Sequence, residues 1–252
     1  MRRLILAFAI ALAAPALLHA ASNPVVAAIK LTATAKSSTF RMSMTTAAAG
    51  QRITMSGSGA QSGSNARMSL RTSGLGAVRM DAILLKERGA YVMYLRSPVF
   101  SSRLPAGKTW VRIDLSKQGA NIGVDFSSLI SASQTFAPLE KGLVSTARLG
   151  PEVVSGQTMT RYRALLDVRR AARALPAYGK QLAAIERASG IRLRRLRYDL
   201  WVAGDGRVHR LRFSMPLAVG AVRGRVTQTM TFLSFDKPVR ITAPPRSQVF
   251  AP

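Results

Sequence analysis

The sequence predicts an α+β fold: a long antiparallel sheet with its helices segregated to one face. Three observations carry this. Stretches of polar/apolar alternation recur at short, regular spacing, and each closes on Gly or Ser. Two stretches, 125–139 and 176–189, have helical spacing instead. The order is many strands, a helix, two strands, a helix and three strands. No repeat of solenoid length is present, which excludes propellers and solenoids.

The clearest element is a hairpin over 195–215. Leu196, Tyr198, Leu200 and Val202 share one face of its first strand, and Val208, Leu211, Phe213 and Met215 supply the second. The phase slips at His209-Arg210, which a bulge absorbs. Gly204-Asp205-Gly206 makes the turn, since these residues tolerate positive φ.

The other elements follow in order. Val25 to Ile29 is a helical turn or two, and Leu31 to Lys36 alternates as a strand does. Phe40, Met42 and Met44 alternate with Arg41, Ser43 and Thr45. Ile53 and Met55 continue after a turn at Gly50. Gly57, Gly59 and Gly63, with the serines between them, read as a loose hairpin connection. Met68 and Leu70 begin the next strand. Met80 and Ile83 to Leu85 form another, turned by Glu87-Arg88-Gly89. Ala90 to Leu95 is strongly β by residue type.

Beyond Trp110 the pattern changes. Phe126, Leu129 and Ile130 lie on one helical face, with Pro138 as the stop. Strands return at 143–149 and 157–168, and the arginine-rich 167–175 reads as a loop. The second helix opens at Pro176 and closes at Gly190. A last long strand spans 222–235, and Pro238, Pro244 and Pro245 end regular structure.

The N-terminus reads as a secretory signal peptide over residues 1–20, cut between 20 and 22. Arg2-Arg3 precedes an apolar run from Leu4 to Leu18, and Ala20, Ala21 and Ser22 suit a signal peptidase. The run falls short of the ~20 residues a membrane span needs. Residues 21–252 then form a single domain, periplasmic, otherwise within the cell envelope, or secreted. Cysteine is absent, which excludes disulfides, thiolate metal sites and a lipid-modified cysteine.

The formal charge is +26, from 37 basic and 11 acidic side chains. In an exported protein this excess points to anionic head groups or wall polymers, and nucleic acid is not an expected partner. Arginines recur on the polar phase of successive strands: Arg161 and Arg163, Arg195 and Arg197, Arg210 and Arg212. Neighbouring strands gather them into a cationic face for a lipid head group or, transiently, an anionic membrane. A solvated outer sheet face explains the same pattern.

Catalytic chemistry is not expected. His209 is the one histidine outside the leader, the carboxylates are dispersed, and no cluster has metal-ligand spacing. Neither a catalytic residue, a metal nor a cofactor is assigned.

Three stretches resemble the LppX/LprG lipoproteins of the bacterial envelope, a family with the LolA-like fold. They are Gly107-Lys-Thr-Trp-Val-Arg-Ile-Asp-Leu-Ser116, Val154-Ser-Gly-Gln-Thr-Met-Thr-Arg-Tyr-Arg163 and Tyr198-Asp-Leu-Trp-Val-Ala-Gly-Asp-Gly-Arg-Val-His-Arg-Leu-Arg-Phe213. The resemblance implies a strongly curved half-barrel whose helices cover the concave face, with an apolar cavity between. That cavity would hold the acyl chains of a lipid or glycolipid. A monomeric, non-enzymatic carrier follows, with an envelope transport protein as a further partner. The family's lipobox cysteine is missing here, so a form without a lipid anchor is expected.

The residues agree in one respect. Met42, Met44, Met55 and Met68 occupy the apolar phase of their strands, and Met80 lies in the next strand of the same meander. Phe40, Ile53 and Leu70 complete the wall, and Phe126, Leu129 and Ile130 form a lid. Flexible thioethers suit a surface that moulds to acyl chains, though ordinary core filling produces the same stripe. Two other readings use the fold differently: an envelope sensor or protein-interaction module, and an anionic-polymer-binding protein.

Overall fold

Twelve strands form one sheet in the computed structural model, which describes residues 23–74, 76–101, 103–115, 132–219 and 222–251. The N-terminal meander runs through β1 (Ser37–Ala48), β2 (Gln51–Ser62), β3 (Asn65–Ser73), β4 (Arg79–Glu87), β5 (Ala90–Arg96) and β6 (Trp110–Asp114). The C-terminal meander runs through β7 (Leu143–Val154), β8 (Gln157–Asp167), β9 (Arg195–Val202), β10 (Val208–Val219) and β11 (Val222–Phe235). They join where β1 pairs with β11, and the order is β12-β6-β5-β4-β3-β2-β1-β11-β10-β9-β8-β7. All pairings are antiparallel except the parallel one between β6 and β12 (Val249–Phe250). The sheet is open and curved, with helices on one face, as the α+β reading expects.

The helices are α1 (Pro24–Ala33), α2 (Pro98–Ser101), α3 (Ala132–Gly142), α4 (Val168–Ala174) and α5 (Pro176–Ser189). Asn23 starts α1: its Oδ1 accepts the Val25 N–H at 3.0 Å. Val25, Ala28, Ile29 and Thr32 are buried at helical spacing along α1. Thr32 closes the contact. Its hydroxyl donates to Ala28 O (2.6 Å) and accepts the Val208 N–H of β10 (2.8 Å).

One face of the sheet, termed inner, meets the helices. Below them Leu166, Leu200 and Val208 reach zero exposure, as do Ile29, Phe136 and Val168 from above. Phe136 of α3 lies 5.8 Å from the Phe232 ring of β11. α1, α3, α4 and α5 make their main strand contacts with β7, β8 and β10. The C-terminal half therefore carries the helical layer.

The expected bulge in the hairpin is present. Val208 pairs with Val202 and Arg210 with Trp201, which leaves His209 as the extra residue. Its Nε2 lies 2.9 Å from Asp205 Oδ2 and its ring meets Phe235 edge-on.

Several local expectations are corrected. Gly57 and Gly59 lie within β2 rather than in a connection. A Cβ on Gly57 would meet Leu70 Cδ2 at 2.7 Å, and one on Gly59 would meet Phe40 Cζ at 2.5 Å. Close packing demands glycine there, not a turn. Leu31 to Ala33 ends α1 rather than starting a strand. Residues 168–174 form α4 because the Asp167 carboxylate accepts the Arg170 N–H and Val168 and Ala171 are buried. Pro138 lies inside α3 rather than ending it. An interior proline costs ~3 kcal/mol, and its neighbours Phe136 and Leu139, at 0% and 1% exposure, anchor the helix against that cost. β12 forms beyond prolines read as the end of regular structure.

Candidate functional site

Each strand alternates between two surfaces, and the register sorts the residues. On the inner face Met42 stands opposite Gly57, Gly57 opposite Leu70 and Leu70 opposite Met80. The next row holds Met44 and Met55, and the one beyond it Thr46 and Ile53, with Val226 on the other flank. The structure thus gathers the methionines of four strands on one surface.

Their environments differ along that surface. Phe40, Met68 and Leu70 are buried at 2%, 8% and 6% exposure and belong to the central core. Met42, Met55 and Met80 pack on its margin half-buried, and Met44 and Ile53 are half-exposed in the outward rows. Phe213, Met215 and Val226 continue this half-open apolar strip across β10 and β11. Phe126, Leu129 and Ile130 lie outside the described residues. The side chains shared by the described helices and the sheet form the central core, and Met42, Met55 and Met80 lie at its margin.

The buried Tyr198 ring lies 5.1 Å from Phe213 of the strip, tilted by 40°. Burial pushes its hydroxyl far above the ordinary phenol range, with Tyr178 adding to the effect. It stays neutral and offers a proton, not a charge.

The outer face is the chemical opposite. Arg161 and Arg163 both bond Asp199, at 2.7 and 3.2 Å, and Arg161 also reaches Glu152. The Asp199 hydrogen bond raises the Arg161 pKa against the opposing effect of burial. Trp201, at 2% exposure, is sandwiched between the Arg161 and Arg210 guanidinium groups at 5.1 and 5.0 Å. Arg195, Arg197 and Arg212 line one hollow with Arg161, Arg163 and Arg225. On the far half Asp81 bridges Arg79 and Arg96, and Arg96 covers Trp110 at 4.7 Å. Partial burial pushes the Asp81 carboxyl up, but Ser69 and the two arginines outweigh it and hold it below its ordinary value.

Sequence reasoning found the methionine phase and the arginine pairs. It missed Phe213, Met215 and Val226 as neighbours of that strip, although their apolar phase was visible. It also missed the serines and threonines of the outer face, whose meaning depends on the pairing of β1 with β11. Among the described residues, no group of His, Asp and Glu is arranged to hold a metal ion, and no helix is long and apolar enough to cross a membrane.

No protein-family model and no curated protein matches the chain. Among solved structures it is similar to LprF from Mycobacterium bovis, at 12% identity and a TM-score of 0.50, covering 88% of this chain and 95% of that one. It is also similar to the lipoprotein LppX of Mycobacterium tuberculosis, at 11% identity and a TM-score of 0.40, covering 88% of this chain and all of that one. The likeness to LprF shows a shared fold, the LolA-like architecture that the local sequence resemblance implies.

Proposed function

We propose that this protein is an exported, non-enzymatic carrier that holds the acyl chains of a lipid or glycolipid on the inner face of its sheet. The observation that carries the reading is the half-buried strip of Met42, Met44, Ile53, Met55 and Met80, left beside the helices rather than sealed beneath them. Unbranched thioethers adapt to a mobile chain, and each methylene buried there contributes ~0.8 kcal/mol without any polar contact. The shared fold with LprF supports the same reading.

In this reading residues 1–20 direct export, 21–252 act as a monomeric domain, and no residue performs catalysis. The excess positive charge draws the protein towards anionic membranes, between which the load moves, and a transport partner takes part in the transfer.

Native mass spectrometry after gentle purification tests this directly. The expected result is a bound acyl lipid, replaceable by a fluorescent fatty acid. Met55→Lys, which places a charge in the strip, should abolish fatty-acid binding while leaving the fold intact by circular dichroism. A protein that arrives empty and refuses both fatty acids and phospholipids overturns the reading.

A further inference from the structure

The outer face carries a groove as well as a charge. Three hollows of about 680, 360 and 560 Å³ lie along it. The first two share Ser43 and Thr229, and the last two share Arg212 and Arg225, so they form one continuous depression. It crosses β3, β2, β1, β11, β10, β9 and β8, roughly 29 Å at ~4.8 Å per strand.

Floor and walls differ in chemistry. Register places Ser43 opposite Ser56 and Thr229, Arg41 opposite Ser58 and Thr231, and Thr45 opposite Thr54 and Thr227. The floor is therefore a lattice of hydroxyls. Arginines rise at its margins: Arg71 on β3, Arg41 on β1, Arg210 and Arg212 on β10, and Arg225 on β11. None of these five has a carboxylate partner among the described residues. The Nε of Arg210 is buried with no acceptor there.

We propose that this groove binds a linear, phosphate-bearing polymer laid across the strands. Guanidinium groups one to two strands apart, ~5–10 Å, fork onto phosphates spaced along the chain. The serine and threonine hydroxyls donate to the phosphate oxygens between them. A chain fits a walled depression, whereas a bilayer presents a plane. The groove lies on the face opposite the methionine strip, so this inference stands independently of the acyl-carrier reading.

Medium-chain polyphosphate is the probe, titrated against the full chain over a salt series. Saturable binding that weakens steeply with salt is expected, and Arg41→Gln/Arg71→Gln/Arg212→Gln should lower the log–log salt slope by about 2, at ~0.7 per lost contact. Ser58→Asp, which charges the floor without removing an arginine, should also weaken binding. Lys30→Gln/Lys180→Gln/Arg187→Gln removes the same charge from the helices and should leave the slope nearly unchanged, as should Met55→Lys. Equal losses from the two triple variants would reduce the effect to bulk charge and overturn the proposal. So would pyrophosphate binding as tightly as the polymer. Displacement of polyphosphate by phosphatidylglycerol vesicles, with the same dependence on the groove arginines, would make the face a membrane surface instead.

Discussion

The two meanders are built from the same alternation yet treat their inner faces differently. In β8, β9 and β10 the inward Leu166, Leu200, Val208 and Leu211 are sealed at 4% exposure or less, and Phe213 and Met215 are half-open further along β10. In β1, β2 and β4 the corresponding positions include Met42, Met44, Met55 and Met80, all half-open. The closed half uses branched side chains with few rotamers under a helical roof. The other uses flexible thioethers beside glycines. Rigidity and adaptability are thus separated within a single sheet, and the first can hold the curvature that the second exploits.

The largest effect should come from testing that division by truncation. Leu200→Ala empties a fully sealed position and should cost 2–5 kcal/mol, read from the midpoint of urea unfolding. Met44→Ala removes a half-exposed side chain and should cost about 1 kcal/mol. Equal losses would mean that the N-terminal strip is ordinary core. The second test sharpens the role of the helical roof. Thr32→Val strands the buried Val208 N–H and should lower stability by about 1–3 kcal/mol, while fatty-acid binding at the methionine strip persists.

The smallest effect is acid sensitivity, which both halves share. Partial burial raises Asp205, but His209 and Arg207 outweigh it, and Asp81 is lowered in the same way on the opposite half. A depressed carboxylate contributes stability that is fully present above its unfolded value, ~3.9. That contribution is lost as pH falls through the folded value. The melting temperature should therefore drop between about pH 5 and pH 2, and Asp81→Asn should flatten part of that slope.

The legible parts of the molecule were those whose signals are local. The phase slip at His209 announces its bulge, and Pro176 with Gly190 (φ +68°) brackets α5. Signals that depend on distant partners were hidden. Gly57 and Gly59 look like a loop until Phe40 and Leu70 are seen occupying the space of their missing side chains. The arginines of α4 mask Val168 and Ala171, which its packing against α3, α5 and β8 reveals as a buried face. The methionine phase follows from alternation. Which methionines remain open follows from where the helices lie, and no strand encodes that alone.

Each half also carries its own lamp. Trp110 sits under Arg96 near the β6 edge, and Trp201 sits between Arg161 and Arg210 on β9. With only these two indoles in the chain, replacing either by phenylalanine leaves a fluorophore that reports on a single meander. Unfolding of each meander can then be followed by its own indole emission, one single-tryptophan variant at a time.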